Sequence, residues 1–211
     1  MRAIIVSGGN KPSKELLMKH LRQDDYIIGV DKGCNALYEY GITPDEILGD
    51  FDSADLNIIE YFKNKNVKSQ SFPPEKDYTD SDLGYIVAKE RGFKEIIFFG
   101  ATGTRVDHML ANIGIMIKAN RENIHMEIID DNNRMFIINK KTTLKGKYGE
   151  LLGFHALSDV VKNVSIEGAK YTLANYDMTL LEPRAICNEF LDKDITISFD
   201  EGLILVIYSN D

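Results

Sequence analysis

The chain has 211 residues, of which 44% are hydrophobic, and a formal net charge of −8. This length and apolar content are enough for one large globular domain or two small ones. The acidic balance, without a block of Lys or Arg, argues against nucleic acid as a partner, because basic side chains must neutralise its phosphates. The longest apolar runs, Ile96 to Phe99 and Leu203 to Ile207, are far shorter than a membrane-spanning helix. We therefore expect no membrane segment.

The N-terminal apolar stretch, Ala3 to Val6, is too short for the core of a secretory signal, so we expect a cytoplasmic protein. Cys34 and Cys187 lie far apart and neither belongs to a CxxC pair, which gives no support for a disulfide framework or a thiolate zinc site. The four histidines also lack metal-type spacing. We predict no zinc.

Residues 1–132 alternate short, β-branched apolar runs with longer helix-patterned segments, which is typical of a parallel α/β sheet. The predicted elements, in chain order, are strand 3–6, helix 13–22, strand 26–30, helix 34–40, strand 46–48, helix 55–63, strand 67–72, helix 79–91, strand 95–99, helix 107–119 and strand 126–129. Around the last helix, Val106, Leu110, Ile113 and Ile117 recur at intervals of three and four, which predicts one buried stripe.

From Asn133 onward the pattern changes to closely spaced strands separated by Gly, Asn or Asp turns. Examples are residues 151–157, 164–167, 195–199 and 203–208, with no convincing amphipathic helix between them. We predict a second, all-β, sandwich-like domain over residues 133–211. The fold class is therefore α/β, with an N-terminal parallel-sheet domain and a C-terminal β domain.

The clearest candidate for chemistry is Gly49-Asp50-Phe51-Asp52-Ser53, which follows a predicted strand. The carboxyl ends of parallel strands face the ligand crevice, and residues two apart point the same way in an extended segment. Asp50 and Asp52 are therefore candidate ligands for Mg²⁺, which prefers hard oxygen donors and substrate phosphates. A polar turn with helix-capping aspartates explains the motif about equally well.

A second acidic group, Asp77-Tyr78-Thr79-Asp80, opens a predicted helix. Asp77 and Asp80 are three apart, so they can share a face in the first helical turn. Helix capping is the favoured explanation of this motif by itself. Asp31, which follows strand 26–30, adds another acidic position at the same predicted sheet edge. Three acidic strand ends on one edge favour a metal site over unrelated caps.

The segment Gly100-Ala101-Thr102-Gly103-Thr104-Arg105-Val106-Asp107-His108 follows a strand and enters a helix. Glycines let backbone amides approach phosphate oxygens, a helix N-terminus favours anions, and Arg105 is suited to a phosphate or a base. The segment is neither a Walker A loop nor a GxGxxG motif. An ordinary strand-to-helix turn also explains its glycines.

Together these motifs resemble the thiamine diphosphokinase family. The residues that carry the resemblance are Asp31-Lys32-Gly33, Gly49-Asp50-Phe51-Asp52-Ser53, Asp77-Tyr78-Thr79-Asp80, Arg105-Val106-Asp107-His108 with Asn112, Asn188-Glu189-Phe190 and the closing strand near Gly202 to Ser209. The resemblance covers nearly the whole chain. Each motif is weak alone, but the first four in this order and spacing are specific.

The resemblance implies transfer of pyrophosphate from ATP to the hydroxyl of thiamine, giving thiamine diphosphate and AMP. It implies a catalytic α/β domain over residues 1–132, a thiamine-binding β domain over residues 133–211, and a homodimer with the active site between subunits. The implied Mg²⁺ ligands are Asp50, Asp52 and Asp80, with Asp77 as a further catalytic carboxylate. The implied nucleotide-binding residues are Asp31, Lys32, Gly33, Thr79, Arg105, Asp107, His108 and Asn112. Cys187, where the family commonly has a serine, and Asn188 are the implied thiamine-binding residues.

Two other functions fit parts of the sequence. A magnesium-dependent DxD phosphohydrolase would use Asp50 as a covalent nucleophile, but such enzymes usually carry DxD on the first strand and here it follows the third. A non-catalytic nucleotide-sensing module would have little reason to assemble several carboxylates. For pyrophosphoryl transfer, Asp77 or Asp80 is the candidate acceptor of the thiamine hydroxyl proton.

Overall fold

The structure is a computed structural model that describes residues 1–51, 54–72 and 77–210. The chain divides into two compact units, Met1–Asp131 and Asn132–Asp211. Across the described residues, no helix is both long enough and apolar enough to cross a membrane.

The described residues of the first unit form six strands and five helices that alternate along the chain. They are β1 (Ala3–Val6), α1 (Lys14–His20), β2 (Tyr26–Val30), α2 (Gly33–Tyr40), β3 (Glu46–Gly49), α3 (Leu56–Asn64), β4 (Lys68–Ser71), α4 (Asp80–Glu90), β5 (Glu95–Phe99), α5 (Val106–Arg121) and β6 (His125–Ile129). The strands lie in the order β6-β5-β1-β2-β3-β4, and each neighbouring pair is parallel. The predicted parallel α/β fold is confirmed.

Helices cover both faces of this sheet because its central strands are apolar on both faces. On one face, Ile4 and Val6 of β1 share a core with Leu37 of α2. On the other face, α4 approaches the sheet closely at Gly84, where an added Cβ would lie 3.0 Å from Val30. The result is a three-layer arrangement in which all strand carboxyl ends point to one edge.

The buried face of α5 is not the predicted one. Val106 and Leu110 are 65% and 57% exposed, so the expected buried stripe is wrong there. The buried side chains of the helix are Asn112, Ile115, Met116 and Ala119. These positions recur at intervals of three, one and three, so the helical period is as expected but its phase differs.

The described residues of the second unit form eight strands, which pair antiparallel with their neighbours. They are β7 (Asn133–Ile138), β8 (Thr142–Leu144), β9 (Leu151–Ala156), β10 (Val160–Glu167), β11 (Leu173–Thr179), β12 (Ala185–Glu189), β13 (Ile195–Ser198) and β14 (Ile204–Ser209). One set runs β12-β9-β14-β7 and the other β11-β10-β13-β8. Both sets contribute to one core, which includes Phe154, Val206, Val164 and Ile197. The expected sandwich-like domain is confirmed.

Candidate active site

The first unit has a cavity of about 530 Å³ at the carboxyl ends of its central strands. Strand β1 lies between β2 and β5, so the chain leaves β1 toward one side of the sheet and returns to its other side at β5. Such a switch in strand order opens a crevice that commonly holds ligands in α/β proteins. The cavity is lined by residues 7–10, 31–32, 79–81, 100–105, 108, 109 and 112.

Two glycine-containing loops, after β1 and after β5, are tied together along one wall of this cavity. The N–H of Gly9 donates to the carbonyl of Gly100 at 2.9 Å, and the N–H of Asn10 donates to the carbonyl of Thr102 at 2.6 Å. A Cβ on Gly9 would lie 2.1 Å from the Thr102 carbonyl oxygen, so glycine is required for this approach. Gly100 also has φ of 66°, a conformation that favours glycine. Backbone hydrogen bonds therefore hold the two loops of this wall together.

Two helices begin at this cavity without a side-chain cap. The N-cap residues are Lys32 for α2 and Arg105 for α5, and neither accepts a hydrogen bond from its helix. Helix N-termini carry a partial positive charge, and the two cationic side chains add to it. In contrast, Thr79 caps α4 by accepting from the Asp82 N–H at 3.2 Å. The capping explanation is therefore correct for Thr79, whereas the other two helix starts are suited to phosphate.

Arg105 is held at the cavity by an ion pair with Asp107. The two side chains meet at 2.6 Å and are 67% and 65% exposed. Their hydrogen bond raises the pKa of Arg105 and lowers the pKa of Asp107. Asp107 does not itself line the cavity, whereas Arg105 and His108 do. Asp107 is therefore connected to the cavity through its ion pair with Arg105.

Asn112, also expected in the nucleotide pocket, lines the cavity from the buried face of α5. Its amide nitrogen donates to the carbonyl of Ala101 at 2.6 Å. This bond connects α5 to the loop after β5. Gly33 differs, because it is buried and lies outside the lining set; a Cβ there would be 2.0 Å from the Val6 carbonyl. Gly33 therefore permits α2 to pack closely against β1.

Two carboxylates, Asp31 and Asp80, line the cavity. Asp31 is held beside the end of β3, since its N–H donates to the carbonyl of Leu48 at 2.7 Å. Asp50 follows the same end of β3 but is not part of the lining, and Asp52 lies outside the described residues. In the described part of the chain, no three His, Cys, Asp or Glu side chains are grouped closely enough to hold a metal ion. The oxygen donors of Asp31 and Asp80 nevertheless fit the preference of Mg²⁺.

Two details of the predicted acidic motifs are wrong. Phe51 has φ of 59°, so the backbone between Asp50 and Asp52 is not extended as expected. Helix α4 begins at Asp80, and the exposed Asp77 precedes its N-cap. Asp77 and Asp80 therefore do not share a helical turn.

Sequence reasoning missed three parts of the cavity lining, which are the loop Ser7-Gly8-Gly9-Asn10, Ser81 and Met109. The hydroxyl oxygens of Ser7 and Ser81 lie 3.1 Å apart, which connects the β1 loop to the first turn of α4. The sequence signal for this loop was the glycine pair Gly8-Gly9, which closely follows the first strand of the parallel sheet.

The two predicted thiamine-binding residues lie in β12 of the second unit. Cys187 is exposed and has φ of 53°, at a shift in register between β12 and β9. Asn188 is buried, with 1% exposure. A smaller cavity of about 180 Å³, lined by residues 166, 171–173, 184–186 and 188, lies in the same unit.

A phosphate-suited cavity at the switch point of a parallel sheet, followed in the chain by a separate β sandwich, places the protein in the class of two-domain α/β proteins with a phosphate-suited site. Comparison with protein families agrees with both parts. Residues 17–128 match the thiamin pyrophosphokinase catalytic domain. Residues 137–204 match the thiamin pyrophosphokinase vitamin B1 binding domain. The chain belongs to the thiamin pyrophosphokinase family.

Individual relatives agree with this assignment. The chain is 34% identical to thiamine pyrophosphokinase of Bacillus subtilis (strain 168) over 209 residues, 98% of each chain. The crystal structure of the Bacillus subtilis thiamine pyrophosphokinase is similar, with a TM-score of 0.90 and 31% identity over 100% of both chains. The Geobacillus thermodenitrificans thiamin pyrophosphokinase structure has a TM-score of 0.86 and 29% identity, over 100% of this chain and 98% of its own.

Proposed function

We propose that this chain is a thiamine pyrophosphokinase that transfers the pyrophosphoryl group of ATP to the hydroxyl of thiamine, giving AMP and thiamine diphosphate. ATP would occupy the 530 Å³ cavity of the first unit. The observation that carries this proposal is the convergence of two uncapped helix starts, with Lys32 and Arg105, at the switch point of the sheet. Helix starts and cationic side chains suit the phosphates of a nucleotide.

We infer that Mg²⁺ is required as well. Asp31 and Asp80 are the carboxylates in the cavity, and Asp50 follows the adjacent strand end, so these residues would hold the ion together with Asp52. When bound, Mg²⁺ neutralises charge on the phosphates. The cationic side chains of Lys32 and Arg105 would bind phosphate oxygens directly and add to this neutralisation. The fixed glycine loops would keep the nucleotide in one orientation, which matters because phosphoryl transfer depends mainly on positioning.

We assign Asp77 as the acceptor of the thiamine hydroxyl proton. Asp80 lines the cavity and starts α4, which suits a metal ligand. Asp77 is exposed and lies three residues earlier, outside the helix, where an incoming alcohol can reach its carboxylate. A carboxylate within hydrogen-bonding reach of the hydroxyl can remove its proton as the new P–O bond forms.

The active site in this proposal is shared between two copies of the chain, in the cytoplasm. All residues of the phosphate-suited cavity belong to the first unit, whereas Cys187 and Asn188 belong to the second. A two-fold homodimer repeats each contact twice, so joining the first unit of one copy to the second unit of the other creates two equivalent sites.

The products of ATP turnover test the proposed function. Purified protein is incubated with ATP and Mg²⁺, with and without thiamine, and the nucleotides are separated by ion-exchange chromatography. We expect AMP and thiamine diphosphate in equal amounts, and no AMP without thiamine. Release of ADP or phosphate would indicate the phosphohydrolase alternative. Nucleotide binding without turnover would indicate the sensing module.

A further inference from the structure

The first turn of α4 carries part of the candidate active site. Asp80 and Ser81, its first two residues, line the cavity. Thr79 caps the turn by accepting from the Asp82 N–H at 3.2 Å. Asp80 and Asp82 place two carboxylates at this helix start, where negative charge is favourable. The position of this turn therefore determines where the Asp80 carboxylate lies in the cavity.

Side-chain contacts hold this turn from two sides. On one side, the hydroxyl oxygens of Ser81 and Ser7 lie 3.1 Å apart, which joins the turn to the loop after β1. On the other side, Lys118 Nζ of α5 donates to Asp82 Oδ1 at 3.2 Å. The side chains of Lys118 and Asp82 are 40% and 20% exposed, so water screens this ion pair only in part. Lys118 does not line the cavity, so it can influence the site only through α4.

The ammonium group of Lys118 also lies beside two tyrosine rings. Its Nζ is 5.4 Å from the centroid of the Tyr85 ring and 6.0 Å from that of the Tyr78 ring. Cations are attracted to aromatic faces at distances of up to about 6 Å. Tyr85 is fully buried and lies three residues after Asp82, whereas Tyr78 precedes the N-cap of α4. Lys118 therefore contacts the chain on both sides of the first turn.

A second ion pair joins α4 to α5 at the far end of α4. Lys89, in the last turn of α4, has its Nζ 2.8 Å from Oε1 of Glu122, and the two side chains are 45% and 31% exposed. Neither residue lines the cavity. The two ion pairs are thus alike in type and similar in exposure, but only that of Lys118 lies at the turn that carries Asp80. Partly exposed ion pairs contribute little to global stability, so the two should differ mainly through their positions.

We propose that Lys118 is a positioning residue for the reaction, which acts by holding the first turn of α4, and with it Asp80, in place. The proposal rests on the proposed function, in which Asp80 is a metal ligand. Phosphoryl transfer depends mainly on positioning, and a displacement of about 1 Å can lower the rate by a factor on the order of 10². A contact that is weak in stability should therefore have a clear effect on kcat.

The test compares Lys118→Ala with Lys89→Ala, which is the matched control. We expect Lys118→Ala to lower the kcat for AMP formation by about tenfold, with the KM for thiamine changed less than about twofold. Lys89→Ala should keep the wild-type kcat. Lys118→Arg retains the positive charge and should recover most of the lost kcat. Asp82→Asn should resemble Lys118→Ala, and the double variant should be no worse than either single one, because both remove the same contact.

Hydrogen exchange gives a readout that needs neither metal nor turnover. Within the first turn of α4, the N–H of Leu83 donates to the carbonyl of Thr79 at 3.1 Å. We expect this amide to exchange at least about fivefold faster in metal-free Lys118→Ala than in the metal-free wild type, because the turn opens more often. Lys89→Ala should leave its exchange unchanged. The rates are measured by NMR.

Several results would overturn the proposal. An unchanged kcat in Lys118→Ala would exclude the positioning role, and faster exchange at Leu83 with that unchanged kcat would make the contact purely structural. Equal losses of kcat in Lys118→Ala and Lys89→Ala would indicate a general effect of the α4–α5 contact. If the wild type forms no AMP, the proposed function fails, while exchange at Leu83 still decides whether Lys118 holds the turn.

Discussion

The side-chain amide of Asn112 donates a 2.6 Å hydrogen bond to the backbone carbonyl of Ala101, joining the buried face of α5 to the loop that follows β5. Both residues line the phosphate-suited cavity. A buried carbonyl that loses its donor retains the cost of its desolvation. The bond therefore links the stability of the first unit to the geometry of its candidate nucleotide site.

Replacing this amide should affect both properties. We expect Asn112→Ala to lower the free energy of unfolding by about 1–3 kcal/mol, because the Ala101 carbonyl is left unpaired. The same change should raise the KM for ATP more than that for thiamine, since the cavity wall is loosened. Urea unfolding and steady-state kinetics measure the two effects. A stability loss without any change in the ATP KM would separate Asn112 from the nucleotide.

Glu46 lies at the amino end of β3, whereas the cavity lies at the carboxyl ends of the strands. It is 1% exposed and accepts from Arg91 at 2.6 Å, from Tyr26 at 3.0 Å and from Gln70 at 2.7 Å. Glu46→Ala should lower the free energy of unfolding by about 1–3 kcal/mol, because the half-buried Tyr26 hydroxyl loses its acceptor and Arg91 loses its buried partner. The kcat of the folded fraction should not change.

The exposed Glu60 is the control for this variant. Glu60→Ala should leave the unfolding midpoint in urea within error of wild type. A large loss of kcat in folded Glu46→Ala would mean that the amino edge of the sheet affects the site at its carboxyl edge.

The strand and helix pattern of the first unit was predictable because buried parallel strands are apolar runs and amphipathic helices repeat with a fixed period. The phase of α5 was not predictable. Val106 and Leu110 are strongly apolar, yet they are exposed, while the buried face includes Asn112 and Ala119. Hydrophobicity alone favours the wrong face of α5. The side-chain amide of Asn112 is buried because it donates a hydrogen bond to the Ala101 carbonyl, and hydrophobicity does not predict such a bond.

The sequence predicted the position of the candidate site in the fold but only some of the residues that line it. Acidic strand ends and the glycine segment after β5 indicated the edge of the sheet at which the cavity lies. The partner loop after β1 was missed, because its contribution depends on which strands become neighbours. The hydrogen bond that Asn188 accepts from the backbone N–H of Tyr171 was also beyond the sequence, since it joins residues 17 positions apart.

The carboxylates of the first unit should control the chemical step. We expect Asp80→Asn and Asp50→Asn each to lower kcat by a factor on the order of 10² or more, since a lost metal ligand removes charge stabilisation in the transition state. Removing Mg²⁺ with EDTA should abolish turnover of the wild type. The kcat of each variant is measured over a range of Mg²⁺ concentrations. Wild-type activity of both variants at limiting Mg²⁺ would exclude these residues as ligands.

The two cysteines should differ sharply in reactivity. Burial and the nearby Asp31 raise the pKa of Cys34 to about 12, so this thiol remains protonated and unreactive near pH 8. Cys187 is exposed. We expect Ellman's reagent to label one thiol per native chain and two after unfolding, and Cys187→Ser to remove the native reaction.

Ligand protection then tests the placement of thiamine. Thiamine should slow the labelling of Cys187, since this residue is a predicted thiamine-binding residue beside Asn188, whereas ATP alone should not. Protection by ATP alone, at a concentration that saturates the enzyme, would contradict the assignment of the nucleotide to the first unit.

The last prediction concerns the proposal that each active site is shared between two subunits. One parent homodimer carries Asp80→Asn, which disables the catalytic cavity. The other carries Asn188→Ala at the predicted thiamine-binding residue of the second unit, which should weaken thiamine binding and leave little activity at low thiamine. If sites are shared, a mixed dimer has one site with both lesions and one with neither. Co-refolded parents should then recover about a quarter of wild-type activity at low thiamine, because about half of the dimers are mixed and each has one intact site. The recovered activity should also show the wild-type KM for thiamine. If each site lies within one chain, every site keeps a lesion, and exchange of differently labelled subunits will occur without any recovery.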